Sequence, residues 1–329
     1  MTFLNRRQVV ATSLGALMLA SVAGAAIAQD KPTVRFSSVV SETDIRAEAF
    51  QRFADLVSDD FNVELYFGGT LVAQGGELAA MQRGNLEMGI PSPQDISNQI
   101  PAWSIVTSAY LFDDAEHMQE VMASEVGQEL YAMVEEQLGV KILGPLYFGT
   151  RQVNLKPEID VQTPEDLNGV TLRMPGGDAW QFLGRAIGAN PTPLAYSEVY
   201  TALQTGAIDG QDNPLPNDYN MKFYEVTSQI VLTNHLVGFD LLSVSLDVWN
   251  DMTPEQQETF QAAADEIIAW STEQHLAREA ELVEFFEGEG LRVYEPDREA
   301  FRAYAQDMYL NSEFSDSWPE GMLDAINAM

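Results

Sequence analysis

The sequence predicts an α/β chain in two domains, and three observations carry that prediction. Short alternating apolar stretches and amphipathic stretches follow one another from Thr33 in the order strand, helix, strand, helix, strand, and the rhythm restarts after about Leu138. The 329 residues, 46% of them hydrophobic, suffice for two cores, since a single core stops growing near about 300 residues. From Thr253 a helical pattern runs without a breaker to about Glu287, roughly 50 Å at helical rise, which is longer than one small domain and suits a helix crossing both.

The first 28 residues are set aside from the fold. Arg6-Arg7, an uncharged stretch from Val9 to Ala26, and the small-x-small site Ala26-Ile27-Ala28 read as a signal peptide cleaved after about Ala28. Asn5 to Val10 resembles a twin-arginine export signal, and the stretch is too weakly apolar for a membrane anchor. No later apolar run is long enough to span a bilayer, so the expected product is exported and soluble, in the periplasm.

Each element has a local reason. Thr33–Val40 alternates as a strand, Glu42–Ser58 puts Phe50, Phe53, Ala54 and Val57 on one helical face, and Asn62–Phe67 alternates again before Gly68-Gly69. A helix over about Glu77–Arg83 leads through Gly84-Asn85 into the apolar strand Leu86–Ile90. After a helical stretch from about Ala115 to Leu138, Val140–Phe148 reads as a strand and Thr163-Pro164-Glu165-Asp166 as a short capped helix. Val170–Met174 is a strand, Asp178–Ile187 a helix, Ser197–Thr205 a capped helix and Ala207–Asp209 a short strand. Thr253-Pro254-Glu255-Gln256 is a capping box opening the long helix. The rhythm favours parallel sheets with helices on both faces.

Charge and composition exclude several functions. There are 17 Lys and Arg against 50 Asp and Glu, a net charge of -33, which becomes -35 once Arg6 and Arg7 are removed with the leader. Such a charge opposes phosphate backbones and anionic lipid, so nucleic acid is not a partner. With no cysteine, there is no disulfide framework, thiolate metal site, cysteine nucleophile or lipidated N-terminus. His117, His235 and His275 are far apart and lack ligand-like partners at helical spacing, so no metal is expected. Gly144 to Gly149 has the glycine spacing of a phosphate loop but is followed by Thr150-Arg151, and it fails as a Walker motif. No nucleophile elbow, zincin motif or dinucleotide fingerprint is present, so neither an enzyme nor a cofactor is expected. Paired acids such as Asp113-Asp114 carry no weight in so acidic a chain.

What remains is a constellation suited to binding. Arg173 ends the strand before Pro175-Gly176-Gly177, and Arg151 follows the strand and turn at Tyr147 to Thr150. Both positions belong to the carboxyl ends of strands, where open α/β sheets hold their ligand crevice. A guanidinium fork matches a carboxylate in bidentate fashion, and a cation inside an apolar stretch of an acidic chain needs an anion. Asn213, after another strand, supplies donor and acceptor, and Tyr196 offers an aromatic face before a capped helix. The same spacing fits equally well with Arg151 and Arg173 pairing with surface acids.

Gly149-Thr150-Arg151, Pro164 to Arg173, Glu198 to Gly206 and Asp209 to Pro214 together resemble the signature of TRAP-transporter solute-binding proteins of the DctP family. The likeness extends over nearly all the chain after the leader, including Leu111 to His117. It implies a two-domain periplasmic binding protein fold, type II-like, with two doubly wound sheets joined by hinge strands and a long domain-spanning helix. Domain I would hold 29–149 plus about 239–275, and domain II 150–238 plus about 276–329. It also implies that Arg173 anchors the ligand carboxylate, Arg151 adds a second contact, Asn213 orients the anion, and Tyr196 stands where relatives often carry Phe. Glu198 is shared too, but an acid at a helix N-terminus suits the dipole and is kept as structural. Gln94 and Ser38 are first-domain candidates from loop position, and Tyr66 to Gly69 departs from the usual Phe-Pro-rich turn. The implied partners are a small organic acid and the small and large membrane subunits of the transporter. The solute class stays open among monocarboxylates, C4-dicarboxylates, sugar acids, sialic acid, aromatic acids and ectoine-like zwitterions. The alternatives are a binding protein of an ABC importer or a chemoreceptor, or a periplasmic carboxylate-processing enzyme.

Overall fold

Alternation places Val34 and Phe36 on the buried face of the first strand, β1 (Thr33–Ser37), in a computed structural model that describes residues 31–329. The leader and its cleavage site lie outside the described residues. Asp44 then caps α1 (Ile45–Leu56) by accepting the Arg46 amide, and β2 (Asn62–Tyr66) returns beside β1. A glycine-rich turn leads to α2 (Glu77–Gln82), β3 (Met88–Gly89) and α3 (Pro93–Ser97). The helical stretch after Asp114 divides at Ser124, whose side chain caps the second piece, giving α4 (Ala115–Ala123) and α5 (Glu125–Leu138).

The next strand, β4 (Val140–Leu155), runs 16 residues, well past the expected end at Phe148. Then come β5 (Thr171–Met174), α6 (Asp178–Ala186), β6 (Asn190–Pro193), α7 (Val199–Thr205), β7 (Gly210–Pro214) and α8 (Leu215–Asn220). The expected strand at Ala207–Asp209 is instead a bend. Gly206 ends α7 in the left-handed region, so three residues are spent turning before β7 begins. The Thr163–Asp166 capping box opens a 3₁₀ turn, Pro164–Leu167, rather than an α-helix. The 17-residue β8 (Gln229–Ser245), α9 (Leu246–Asp251), α10 (Pro254–Gly288), β9 (Arg292–Tyr294), α11 (Arg298–Leu310) and α12 (Met322–Asn327) complete the chain.

The strands form one mixed sheet in the order β2-β1-β3-β8-β4-β7-β5-β6, with β9 beside β8. The parallel pairs expected from the rhythm are at its two ends, β2-β1-β3 and β7-β5-β6. The long strands β4 and β8 run antiparallel between them, from Val140 opposite Ser245 to Leu155 opposite Gln229. Three register shifts interrupt this ladder, at Ile142/Gly144, Tyr147/Gly149 and Arg151/Val153, and each adds local twist. At the second, Gly149 has φ 120°, and a Cβ there would come within 2.5 Å of Pro214 and 2.9 Å of Glu279. Only glycine fits that kink.

Separate apolar clusters lie along the sheet. Phe36, Phe50, Phe53 and Phe260 centre one at the β1 end, and Leu172, Leu183, Val231 and Phe301 centre another at the β5 end. The 35-residue α10 opens on the predicted capping box and supplies both Phe260, Ala264 and Ile267 to the first of these and Leu282 and Phe286 to a third. No described helix is long and apolar enough to cross a membrane.

Candidate functional site

A cavity of about 290 Å³ opens at the carboxyl ends of the parallel strands. Four of the six expected residues line it: Arg151, Arg173, Tyr196 and Asn213. Two do not. Ser38 is buried in the turn after β1, where its amide bonds Tyr66 O and its hydroxyl accepts the Val40 amide, so its neighbour Val39 faces the cavity instead. Gln94 is buried on α3, whose cavity side is taken by Ser92, Asp95 and Asn98 at three-residue spacing. Arg151 and Asn213 also lie within β4 and β7, opposite Pro214 and Gln152, rather than after strands.

The two arginines differ. Arg151 is 3% exposed and engaged by the fully buried Asp212, with Nε to Oδ2 at 2.6 Å and Nη2 to Oδ1 at 3.0 Å and to the carbonyl at 2.6 Å. His235 also donates Nε2–H to Asp212 Oδ2 at 3.2 Å, and its Nδ1 accepts from Thr233 Oγ1 at 2.8 Å. That tautomer follows because burial keeps the imidazole neutral and an ionised Asp212 can only accept. The pairing alternative raised by the sequence is therefore met for Arg151, by a buried acid and not a surface one.

Arg173 has no such partner. It is 1% exposed; its Nε donates to Leu194 O at 2.8 Å and its Nη2 to Gln74 Oε1 at 3.1 Å. It forms no ion pair among the described residues, and burial brings its guanidinium down to about 10 even with Asp212 in the vicinity. A cation held this way, with Nη1 lacking any acceptor among the described residues, is a receptor for an anion.

A third arginine, Arg46, enters from the N-terminal turn of α1. Asp44 grips it in bidentate fashion at 3.0 and 2.9 Å, and Asp240 takes Nη1 at 2.9 Å. Burial opposes its charge, but these two acids more than offset that and hold it above the ordinary value. Each cavity arginine stands over an aromatic ring: Arg46 over Phe148 at 4.5 Å, Arg151 over Trp180 at 4.7 Å and Arg173 over Tyr196 at 5.8 Å.

Asn213 donates from Nδ2 to Gln211 Oε1, and Gln211 Nε2 donates to Asp218 Oδ1 at 2.7 Å. This chain fixes the Asn213 amide and leaves Nδ2 a second hydrogen. Asn217 donates to the Tyr196 hydroxyl at 3.1 Å, pinning the ring at the cavity wall.

Sequence reasoning missed Arg46, Gln74, Glu77, Asp95, Trp180, Asn217 and Asp240. Arg46, with Asp44 and Glu48 two residues away on either side, reads as an ordinary helix-surface cation, and the acids carried no signal in so acidic a chain.

A cleft of mixed polar and apolar lining that holds a guanidinium without an acid partner, with no metal-binding cluster among the described residues, fits a binding protein for a small anionic solute. The chain matches the family described as bacterial extracellular solute-binding protein, family 7 (DctP) over residues 36–316. It belongs to that family: it is a TRAP-type periplasmic solute-binding protein, not an enzyme. It is 48% identical to a TRAP periplasmic solute-binding protein of Roseobacter denitrificans solved with bound 3-deoxy-D-manno-oct-2-ulosonic acid, with TM-score 0.90 over 91% of this chain and 99% of that one. A second protein of that organism, solved with L-galactonate, is 26% identical with TM-score 0.82 over 91% and 98% of the chains. The sialic acid-binding periplasmic protein SiaP of Vibrio cholerae is 28% identical over 95% of this chain and 98% of its own.

Gln74 joins the two groups of strands across the cavity. Its Oε1 accepts both Arg173 Nη2 and the Tyr196 amide, the latter at 2.8 Å. Gln74→Ala is expected to weaken solute affinity about tenfold, chiefly through faster release. Stopped-flow fluorescence of Trp180, at the cavity wall, measures that rate.

Proposed function

We propose that this protein captures a sugar acid in the periplasm, pairs its carboxylate with Arg173, and delivers it to the small and large membrane subunits of a TRAP transporter. The observation that carries this reading is Arg173, a buried cation that faces the cavity with no acid partner among the described residues. Arg151, already held by Asp212, offers its remaining edge as a second contact; Asn213 orients the anion; Tyr196 covers one face. The solute class is supported by the ulosonic acid bound to the 48% identical relative and the aldonate bound to the more distant one.

Two domains, 29–149 plus about 239–275 and 150–238 plus about 276–329, would close over the solute after the leader is cleaved near Ala28. The register shifts in β4 and β8 and the kink at Gly149 supply hinges in the connecting strands. An empty closed form leaves Arg173 without a counter-ion, so solute selects the closed state.

The test is a thermal-shift panel on the chain from Gln29 onward. A sugar acid such as 3-deoxy-D-manno-oct-2-ulosonic acid at a hundred times its dissociation constant is expected to add about 2.7 kcal/mol to stability. A panel in which only uncharged solutes raise the midpoint would refute the reading.

A further inference from the structure

The wall of the cavity contributed by α2, α3 and β8 is acidic, although its purpose in this reading is to hold an anion. Glu77, Asp95 and Asp240 all line it. Asp240 spends Oδ2 on Arg46, and Asp95 spends Oδ2 on the Ser92 amide and hydroxyl at 3.1 and 2.7 Å; neither Oδ1 has a donor among the described residues. Glu77 is 3% exposed; its carboxyl accepts from the backbone amides of Gly75 and of Glu77 itself, and it has no hydrogen bond or ion pair to another side chain among the described residues. Two glycines seat these acids. The stem of Glu77 lies over Gly89, where a Cβ would approach it at 3.2 Å, and Asp95 Oδ1 lies 3.5 Å from where a Cβ of Gly75 would be.

We propose that Glu77, with the free oxygens of Asp95 and Asp240, forms an acceptor wall that reads hydroxyl groups on the solute's tail and rejects solutes bearing a second carboxylate. The proposal rests on Arg173 holding the first carboxylate.

The charges around the cavity support it. Arg46 is neutralised by Asp44 and Asp240, and Arg151 by Asp212, so a monocarboxylate on Arg173 satisfies the one cavity arginine left without an acid among the described residues. A second carboxylate at the far end would meet Asp95 and Asp240 and, among the described residues, no unpaired cation, a repulsive arrangement of the kind that sets specificity. A hydroxyl there finds acceptors. Burial, reinforced by Asp95 and Asp240, pushes the Glu77 carboxyl up to about 8, and burial pushes Asp240 up to about 6 against the pull of Arg46. Near neutral pH Glu77 then carries its proton and can donate as well as accept, matching a hydroxyl that does both.

The experiment is calorimetric titration at pH 7 of wild type, Glu77→Met, Gly89→Ala and Arg173→Ala with L-galactonate, 3-deoxy-D-manno-oct-2-ulosonic acid, succinate and an amino acid. Wild type is expected to favour the better sugar acid over succinate by at least about 100-fold. Glu77→Met, of similar length, removes both the acceptor and the donor and is expected to narrow that ratio about tenfold. Gly89→Ala crowds the same stem and is expected to narrow it in the same direction while retaining the acid. An unchanged ratio in both variants, or wild type that prefers succinate or the amino acid, overturns the wall while an Arg173-dependent carboxylate site stands. Sugar-acid binding that survives Arg173→Ala overturns both readings.

Discussion

Arg173→Ala is expected to weaken carboxylate binding by about 30- to 5,000-fold, without lowering the melting temperature of the empty protein. The first figure follows from removing one member of a desolvated charge pair, about 2–5 kcal/mol. The second follows from what Arg173 lacks. Its guanidinium is buried against Leu194 O and Gln74 Oε1 with no acid paired to it among the described residues, and the depression to about 10 marks a charge that the empty fold disfavours. Removing it relieves desolvation, which offsets the packing lost with the side chain. Arg173→Lys retains the charge but not the fork that spans Leu194 and the solute, and is expected to fall between. Calorimetric titration with a sugar acid and a thermal melt of the same preparation measure both halves. Affinity within threefold of wild type, or a fall of many degrees in the empty melt, would place the arginine among structural ion pairs.

The contrast between Arg173 and Arg151 marks how far the sequence could be read. Both stood out as cations in apolar stretches of an acidic chain, and both reach the cavity, because a buried arginine needs either an acid or a ligand. Which of the two it has is decided across the sheet. Asp212 is 61 residues from Arg151 and is delivered by the pairing of β4 with β7, a long-range match that no local pattern announces. Arg46 was hidden within a helical pattern that looked complete without it. The acids of the opposite wall were hidden by their abundance. Ser38 and Gln94 failed for a different reason: position in a turn or short helix does not fix the direction of a side chain.

The elements divide in the same way. The long α10 was legible because its capping box and its apolar positions are local, β1 and β2 were legible by alternation and β3 and β5 as short apolar runs, while β6 was not read and β7 was placed too early. The length of β4 and the existence of β8 were not legible. Thr233, Asn234 and His235 interrupt β8 with polar residues, and Asn234 sits at φ 48°, so the stretch resembles a loop until β4 lies beside it. That interruption is where His235 turns inward to Asp212, so the feature that hid the strand also helps to build the site.

Asp212→Leu is expected to destabilise the protein by about 3–5 kcal/mol, because it leaves the Arg151 guanidinium buried without its acid and the His235 Nε2–H without an acceptor. For a chain of this size that corresponds to a fall of roughly 5–8 °C in the melting midpoint. The companion variant Arg151→Met/Asp212→Leu removes both charges and is expected to recover most of the loss, with a coupling energy well above that of independent sites. The pH dependence has a definite sign. Burial pushes the Asp212 carboxyl up, but Arg151 and His235 overcome it and hold the group below the usual carboxylate range. A folded-state value below the unfolded one of about 3.9 gives a stabilising contribution that is fully present above about pH 4 and is lost as the pH falls through the folded value. The gap between wild type and Asp212→Asn, measured by denaturant titration, should therefore be flat from pH 7 to about 5 and close below about 4. A gap that widened on acidification, or a double variant no more stable than Asp212→Leu, would mean that Arg151 is not held by this acid, and its cavity-facing edge would then have to be positioned by the solute alone.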